Sequence, residues 1–134
     1  LESDVFISCA AVCDWRPVNF VKSKVKKTKE QESLTLGFVK NPDILHEIAN
    51  CKKRPKVVIG FAAETDNLID NAKAKLINKN CDAIFANNVS DNKVFGKDKT
   101  HVYLVTKNKV DDCGEQSKAQ SSKIIFDTAI ALCK

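Results

Sequence analysis

The feature that most constrains this chain is the run Val57-Val58-Ile59-Gly60-Phe61-Ala62-Ala63, seven apolar residues in succession closed by Glu64-Thr65. A strand with one wet face alternates apolar and polar residues, so an unbroken β-branched run calls for burial on both faces, as in parallel sheets covered by helices. Spanning a bilayer takes about 20 apolar residues, so this run is a strand and no membrane crossing is expected. A helical period follows at once: Leu68, Ile69, Ala72 and Leu76 share one face of a helix expected from after Thr65 to about Lys79.

The same strand-like character recurs at residues 5–11, 34–39, 82–86 and 102–106. Asn41-Pro42-Asp43 carries helix-start signals: asparagine for the cap, proline for the first helical position and a carboxylate in the first turn. A last helix is expected over about residues 115–133, where Ile124, Ile125, Thr128 and Leu132 fall at helical spacing. Strand, loop, helix, strand is the repeating unit of α/β folds. At 134 residues the chain fits one such domain over 1–134. Residues 20–33 break the pattern: they are highly charged and have no apolar period, which suggests a flap.

Composition narrows the function. The net charge of +5 comes from 20 lysines and only two arginines, Arg16 and Arg54, with aromatics at 7%. Nucleic-acid binders interleave arginine and aromatic side chains, so no nucleic-acid partner is expected. With four glycines, neither GxGxxG nor GxxxxGK[ST] can be written, which excludes the common dinucleotide and P-loop fingerprints. The six cysteines at 9, 13, 51, 81, 113 and 133 show no CxxC or finger spacing. They read as structural thiols, buried in the case of Cys9, Cys81 and Cys133, and not as a metal site. The chain has no methionine and opens Leu1-Glu2-Ser3-Asp4, so it is expected to be a portion of a longer product. It shows no secretory leader pattern, and the cytoplasm is the expected compartment.

In parallel α/β sheets ligands collect where strands end and helices begin. Four such loops, at residues 12–17, 40–43, 64–67 and 87–90, are dense in Asp, Asn, Glu or Arg. Turn and cap chemistry explains such residues equally well. Lys75 and Lys79 stand out more, because they lie one turn apart on or beside the apolar face of their helix. Snorkelling at a helix C-terminus is one account of the pair, and a bound polyphosphate is the other. At about 4 Å and an effective dielectric near 20, each ammonium gains about 4 kcal/mol from a phosphate charge before desolvation. Their mutual repulsion is only a few tenths of about 1 kcal/mol.

Five blocks together resemble one family. They are Ala10-Ala11-Val12-Cys13-Asp14-Trp15-Arg16-Pro17, Lys24-Val25-Lys26-Lys27, Asn41-Pro42-Asp43-Ile44, Gly60-Phe61-Ala62-Ala63-Glu64-Thr65 and Ala86-Asn87-Asn88-Val89-Ser90. In order and spacing they are similar to phosphopantothenoylcysteine synthetase across nearly all of the first 90 residues. The resemblance implies a Rossmann-like three-layer domain with a mostly parallel sheet and an additional antiparallel edge or dimerisation element. It implies CTP-dependent ligation of 4′-phosphopantothenate to L-cysteine through an acyl-cytidylate, with release of pyrophosphate and CMP in coenzyme A biosynthesis. The alternative is a non-catalytic nucleotide-binding module derived from such a ligase.

On the same resemblance, Asp14, Asn41, Pro42, Asp43, Ile44 and Phe61 contact CTP, and Lys75 with Lys79 holds its triphosphate. Lys24 reaches the phosphates from the flap as the catalytic lysine, and Ala10 and Ala11 lie near phosphopantothenate. The three lysines are expected to converge at the carboxyl edge of the sheet. Magnesium is expected with CTP, without an assigned protein ligand. The resemblance further implies a homodimer, with pairing at residues 34–39 or 102–106, and fusion to a flavin-dependent decarboxylase that keeps the flavin to itself. Asn88 replaces a usual aspartate, and Cys13 a usual alanine or serine. The family's glycine-rich first unit, with its catalytic asparagine, is expected upstream of Leu1.

Overall fold

The computed structural model describes residues 2–19, 23–24, 33–89 and 99–134. In chain order its elements are β1 (Val5–Ile7), β2 (Trp15–Pro17), β3 (Phe38–Lys40), α1 (Ile44–Asn50), β4 (Val57–Glu64), α2 (Leu68–Lys79), β5 (Ala83–Asn88), β6 (Lys99–Thr106), β7 (Val110–Ser117) and α3 (Lys118–Leu132). They group into two compact units, one made of Leu1–Cys9 with Ile44–Lys134 and the other of Ala10–Asp43.

The first unit is an α/β layered structure around a five-stranded mixed sheet ordered β1-β4-β5-β6-β7. β1, β4 and β5 are parallel, while β6 and β7 add on as antiparallel strands. The apolar run becomes β4, and period two divides it between two cores. Val58 and Ala62 pack with Leu45, Ala49, Leu68, Ala72 and Leu76 beneath α1 and α2. Val57 and Ile59 pack with Phe85, Val102, Leu104, Ile125 and Ala129 beneath α3. A Cβ at Gly60, on the α1 and α2 face, would come within 2.9 Å of both Leu45 Cδ2 and Ile84 Cδ1, so a larger residue there would force those two side chains to shift.

Arg54 closes the amino end of this sheet. It donates from Nε to the Ala49 carbonyl (3.0 Å), from Nη1 to those of Pro55 (2.8 Å) and Lys56 (3.2 Å), and from Nη2 to that of Asn80 (3.0 Å). Nη2 also meets Asp82 Oδ2 at 2.7 Å, and that same oxygen accepts the Val58 N–H at 2.7 Å. The C-termini of α1 and α2 and the starts of β4 and β5 are thereby joined through one guanidinium, whose fork suits several acceptors at once.

Several elements differ from the sequence reading. α1 starts at Ile44 instead of beside Asn41, whose amide is engaged elsewhere, as described below. Residues 110–117 form β7, and the last helix begins only at Lys118, capped by Ser117 and Gln120 in a reciprocal capping box. β7 has no apolar alternation and is held as a strand by pairing with β6. Residues 102–106 lie in β6, bonded on both sides, so they offer no edge to another subunit. Cys9 and Cys133 are exposed and only Cys81 is fully buried, because β1 ends before Cys9 and Cys133 lies past the end of α3, where Ile130 and Leu132 are exposed as well. All six thiols are free.

The second unit contains one two-stranded antiparallel ribbon, β2 with β3, in the register Trp15↔Lys40, Arg16↔Val39 and Pro17↔Phe38. Only Ser23, Lys24 and Ser33 of the flap expected at residues 20–33 fall among the described residues, together with part of the flanking chain.

Candidate functional site

In the second unit, residues far apart in sequence are drawn into one polar knot. The Asn41 N–H donates to the Asp14 carbonyl (2.8 Å), its Nδ2 donates to the Cys13 carbonyl (2.7 Å), and its Oδ1 accepts from Arg16 Nη1 (2.8 Å). Arg16 Nη1 also reaches the Lys40 carbonyl at 3.4 Å. Asp14 and Asn41, two of the residues singled out for nucleotide contact, are thus brought side by side across the ribbon. Asn41 therefore braces a loop instead of capping α1, a role that single-residue cap statistics cannot reveal. Arg16 escaped sequence reasoning as a brace, although it was one of only two arginines. Asp14, Pro42 and Lys24 are exposed, Ala10 and Ala11 likewise, and Asp43 is half-buried.

The first unit holds Ile44, Phe61, Lys75 and Lys79. Lys75 and Lys79 are both half-buried and one turn apart, as the spacing predicts. They occupy the C-terminal half of α2, whose end is tied to α1 by Asn80 Nδ2 donating to the Ala49 carbonyl (3.1 Å). A crossover helix runs antiparallel to the strands it joins. The pair therefore descends toward the amino end of the sheet, and the expected position at the carboxyl edge is corrected. Phe61 projects onto the opposite, α3 side with Val57 and Ile59. Its ring lies 6.0 Å from that of Phe85.

At the carboxyl ends of β4 and β5, on that α3 side, Phe61 and Phe85 floor a cavity of about 470 Å³ that is rimmed by Cys9, Asn87, Thr100 and Lys118. Ser121 also lines it, and its Oγ is buried without a hydrogen-bond partner. Residues 64–67 spend their polar groups on turn chemistry: Asn71 Nδ2 donates to Glu64 Oε2 (3.3 Å) and Thr65 Oγ1 to Asp66 Oδ2 (3.0 Å). Burial pushes the Cys81 thiol up to about 11, aided by Asp82 and opposed by Arg54, Lys75 and Lys79, so it stays protonated and unreactive. Among the described residues no group of three or more His, Cys, Asp or Glu side chains is placed to hold a metal ion. No helix among them is long and apolar enough to cross a membrane.

Comparison with known proteins gives one family throughout. Residues 1–132 match the DNA/pantothenate metabolism flavoprotein C-terminal domain. The coenzyme A biosynthesis bifunctional protein CoaBC of Haemophilus influenzae is 42% identical over 108 residues, which cover 81% of this chain and 26% of that protein. The chain thus spans about a quarter of the length of that curated relative. Among solved structures, the DNA/pantothenate metabolism flavoprotein from Streptococcus pneumoniae is similar with a TM-score of 0.73 at 23% identity, covering 98% of this chain and 62% of its own. A Cab2 mutant in complex with phosphopantothenate-cysteine has a TM-score of 0.69 at 20% identity, covering 99% of this chain and 46% of its own.

Proposed function

The chain belongs to the family of DNA/pantothenate metabolism flavoprotein C-terminal domains, and on that premise we propose that it is the nucleotide-handling part of a phosphopantothenate–cysteine ligase. The carboxylate of 4′-phosphopantothenate attacks the α-phosphate of CTP, forming an acyl-cytidylate and expelling pyrophosphate. The amine of L-cysteine then attacks the acyl carbon and CMP leaves with the bonding pair. The observation that carries this reading is the Asn41 knot, which brings Asp14 and Asn41, one residue from each of two blocks assigned to cytidine contact, together.

In this proposal Asp14, Asn41, Pro42, Asp43 and Ile44 hold the nucleoside with Phe61 beside it, and Lys75 and Lys79, which lie on the other face of the sheet from Phe61, bind phosphate oxygens from the α2 side. Lys24 offsets the negative charge that builds at the α-phosphate and on departing pyrophosphate, where a cation acts most strongly on the transition state. Ala10 and Ala11 border phosphopantothenate. Since no described cluster fits a resident metal, magnesium is taken to arrive on the triphosphate. The names of the relatives support the pathway: one is a bifunctional coenzyme A biosynthesis protein, and Cab2 was solved with phosphopantothenate-cysteine. We place the protein in the cytoplasm, joined or associated with a flavin-dependent decarboxylase that carries the flavin.

Homodimerisation is part of the same proposal. A two-stranded ribbon is marginal by itself in water. In this unit Trp15, Val18, Leu34, Leu36 and Phe38 are each more than half exposed. A second copy of the ribbon would cover them and extend it at β3.

The test is pyrophosphate release by the full protein. Release that requires CTP, 4′-phosphopantothenate and cysteine together is expected, and Lys24→Gln should lower turnover by about 100-fold or more while the circular dichroism spectrum is kept. CTP binding without turnover would establish the non-catalytic reading instead, and near-normal turnover of Lys24→Gln would remove that lysine from the chemistry.

A further inference from the structure

β6 and β7 do not pair evenly. His101 pairs with Glu115 and Tyr103 with Asp112, so β7 carries one residue more than β6 between these pairs. The extra length is taken up at Gly114, in the left-handed region at φ +68°, as in a glycine bulge. Bulges re-aim the side chains around them. Here the Gly114 N–H donates to Asp112 Oδ1 (2.8 Å), and the same oxygen meets His101 Nε2 at 2.6 Å.

The carboxylate sets the state of the ring. The Gly114 N–H and then His101 hold the Asp112 carboxyl below its ordinary range, so at neutral pH it is ionised and can only accept. Nε2 therefore carries the proton of their bond. In the neutral ring Nδ1 keeps its lone pair, and it has no hydrogen-bond partner among the described residues. Tyr103 fixes the plane of the imidazole, with the two rings stacked 4.8 Å apart. A carboxylate bonded behind one nitrogen and a bare lone pair on the other orient a histidine to act as a base.

His101 also opens onto a space of ligand size. A cavity of about 490 Å³ lies at the carboxyl ends of β4 and β5 on the α2 face, lined by Asn67, Asp70, Asn88, His101 and Tyr103 among others. The His101 side chain is 43% exposed, so its ring can be reached. The charged groups around it are Asp70 from α2, Asp112 and Glu115 from β7, and Lys99 two residues back on β6, while β5 contributes the uncharged Asn88. With three carboxylates against one ammonium, the field there favours a cationic visitor.

On the ligase reading proposed above, the second half of the reaction has need of such a place. The amine of L-cysteine is an ammonium ion near neutral pH and has no lone pair with which to attack. We infer, resting on that reading, that L-cysteine enters this cavity beside Asp70 and that His101 is the base that activates it. Nδ1 takes one ammonium proton, and the freed nitrogen lone pair forms the C–N bond to the acyl carbon. The acyl C–O bond then breaks, CMP leaves with the bonding pair, and the second ammonium proton passes to water. Asp112 is a positioning residue, which holds Nε2–H and supports the imidazolium that forms.

The test uses the full protein and separates the two half-reactions by quenched flow, with acyl-cytidylate and amide product read by mass spectrometry. His101→Gln should form acyl-cytidylate at the wild-type rate and consume it with cysteine about 100-fold or more slowly, with the circular dichroism spectrum kept. Hydroxylamine, which is uncharged at neutral pH and needs no base, should consume it equally fast in both proteins. Asp112→Asn should slow the cysteine step at least about tenfold. Asp111→Asn, which breaks the neighbouring pair with Lys109 in the same hairpin, should leave it unchanged. A wild-type cysteine rate in His101→Gln or Asp112→Asn, or equal slowing with cysteine and hydroxylamine, would overturn the inference and leave the ligase reading standing. Failure of the wild-type protein to form acyl-cytidylate would overturn that reading and the inference together.

Discussion

Replacing Arg54 with methionine removes five donated hydrogen bonds while keeping most of the apolar stem. Four go to the Ala49, Pro55, Lys56 and Asn80 carbonyls and one to the Asp82 carboxylate. The Arg54 and Asp82 side chains are 25% and 24% exposed, so water can reach part of what is left behind. The low end of the usual range therefore applies, about 0.5 kcal/mol for each carbonyl bond and about 1.5 for the bond to carboxylate. The total is about 3.5 kcal/mol, consistent with a partly buried pair that loses one partner. With a urea slope of about 1.5 kcal/mol per molar, the midpoint should fall by about 2 M at unchanged slope. Arg54→Lys should recover less than half, because one ammonium cannot span acceptors on both helix ends. Lys53→Met is the control: its pair with Glu2 is 77% and 87% exposed and should contribute under about 0.5 kcal/mol. A midpoint shift for Arg54→Met no larger than that of Lys53→Met would refute the reasoning, since the guanidinium would then join nothing that matters.

Other outcomes follow from the same geometry. Lys75→Glu should weaken CTP binding at least about tenfold without lowering the unfolding midpoint, and a lowered midpoint with unchanged binding would assign Lys75 to packing alone. At pH 8, iodoacetamide should modify the exposed Cys9, Cys13, Cys51 and Cys133 and spare Cys81, whose thiol burial raises to about 11; mass spectrometry showing native-state labelling of Cys81 would contradict its burial. The Gly114 N–H and then His101 hold the Asp112 carboxyl below its ordinary 3.8. A depressed carboxylate contributes fully above the unfolded value and loses that contribution as pH falls through the folded one. Acid titrations of wild type and Asp112→Asn should therefore differ at pH 5, begin to approach each other as pH falls below the ordinary 3.8 and meet only below the lower folded value; curves that stay parallel would show that the Gly114 turn does not depend on this charge.

How far the sequence could be read depended on the range of the interaction involved. β4 and the end of α2 at Lys79 were legible because apolar runs and helical periods are local. β7 was not, because nothing in Val-Asp-Asp-Cys-Gly-Glu-Gln-Ser favours a strand until β6 offers its ladder. The bracing role of Asn41 was hidden for a related reason. Its amide had a local use as a cap, and a partner 28 residues earlier, the Cys13 carbonyl, took it instead. Parity within β4 was available in the sequence, since Phe61 keeps step with Val57 and Ile59, but without the helices there was no telling which face would meet α3.

Periodicity, unbroken apolar length and five spaced blocks were enough to determine an α/β chain of this family. The folded molecule alone decided that Asp14 and Asn41 meet and that Phe61 and the Lys75–Lys79 pair lie on opposite faces of the sheet. The physical reason is that side-chain patterns encode which surfaces avoid water, whereas partners distant in sequence are chosen only when closing the chain brings specific donors within reach of specific acceptors.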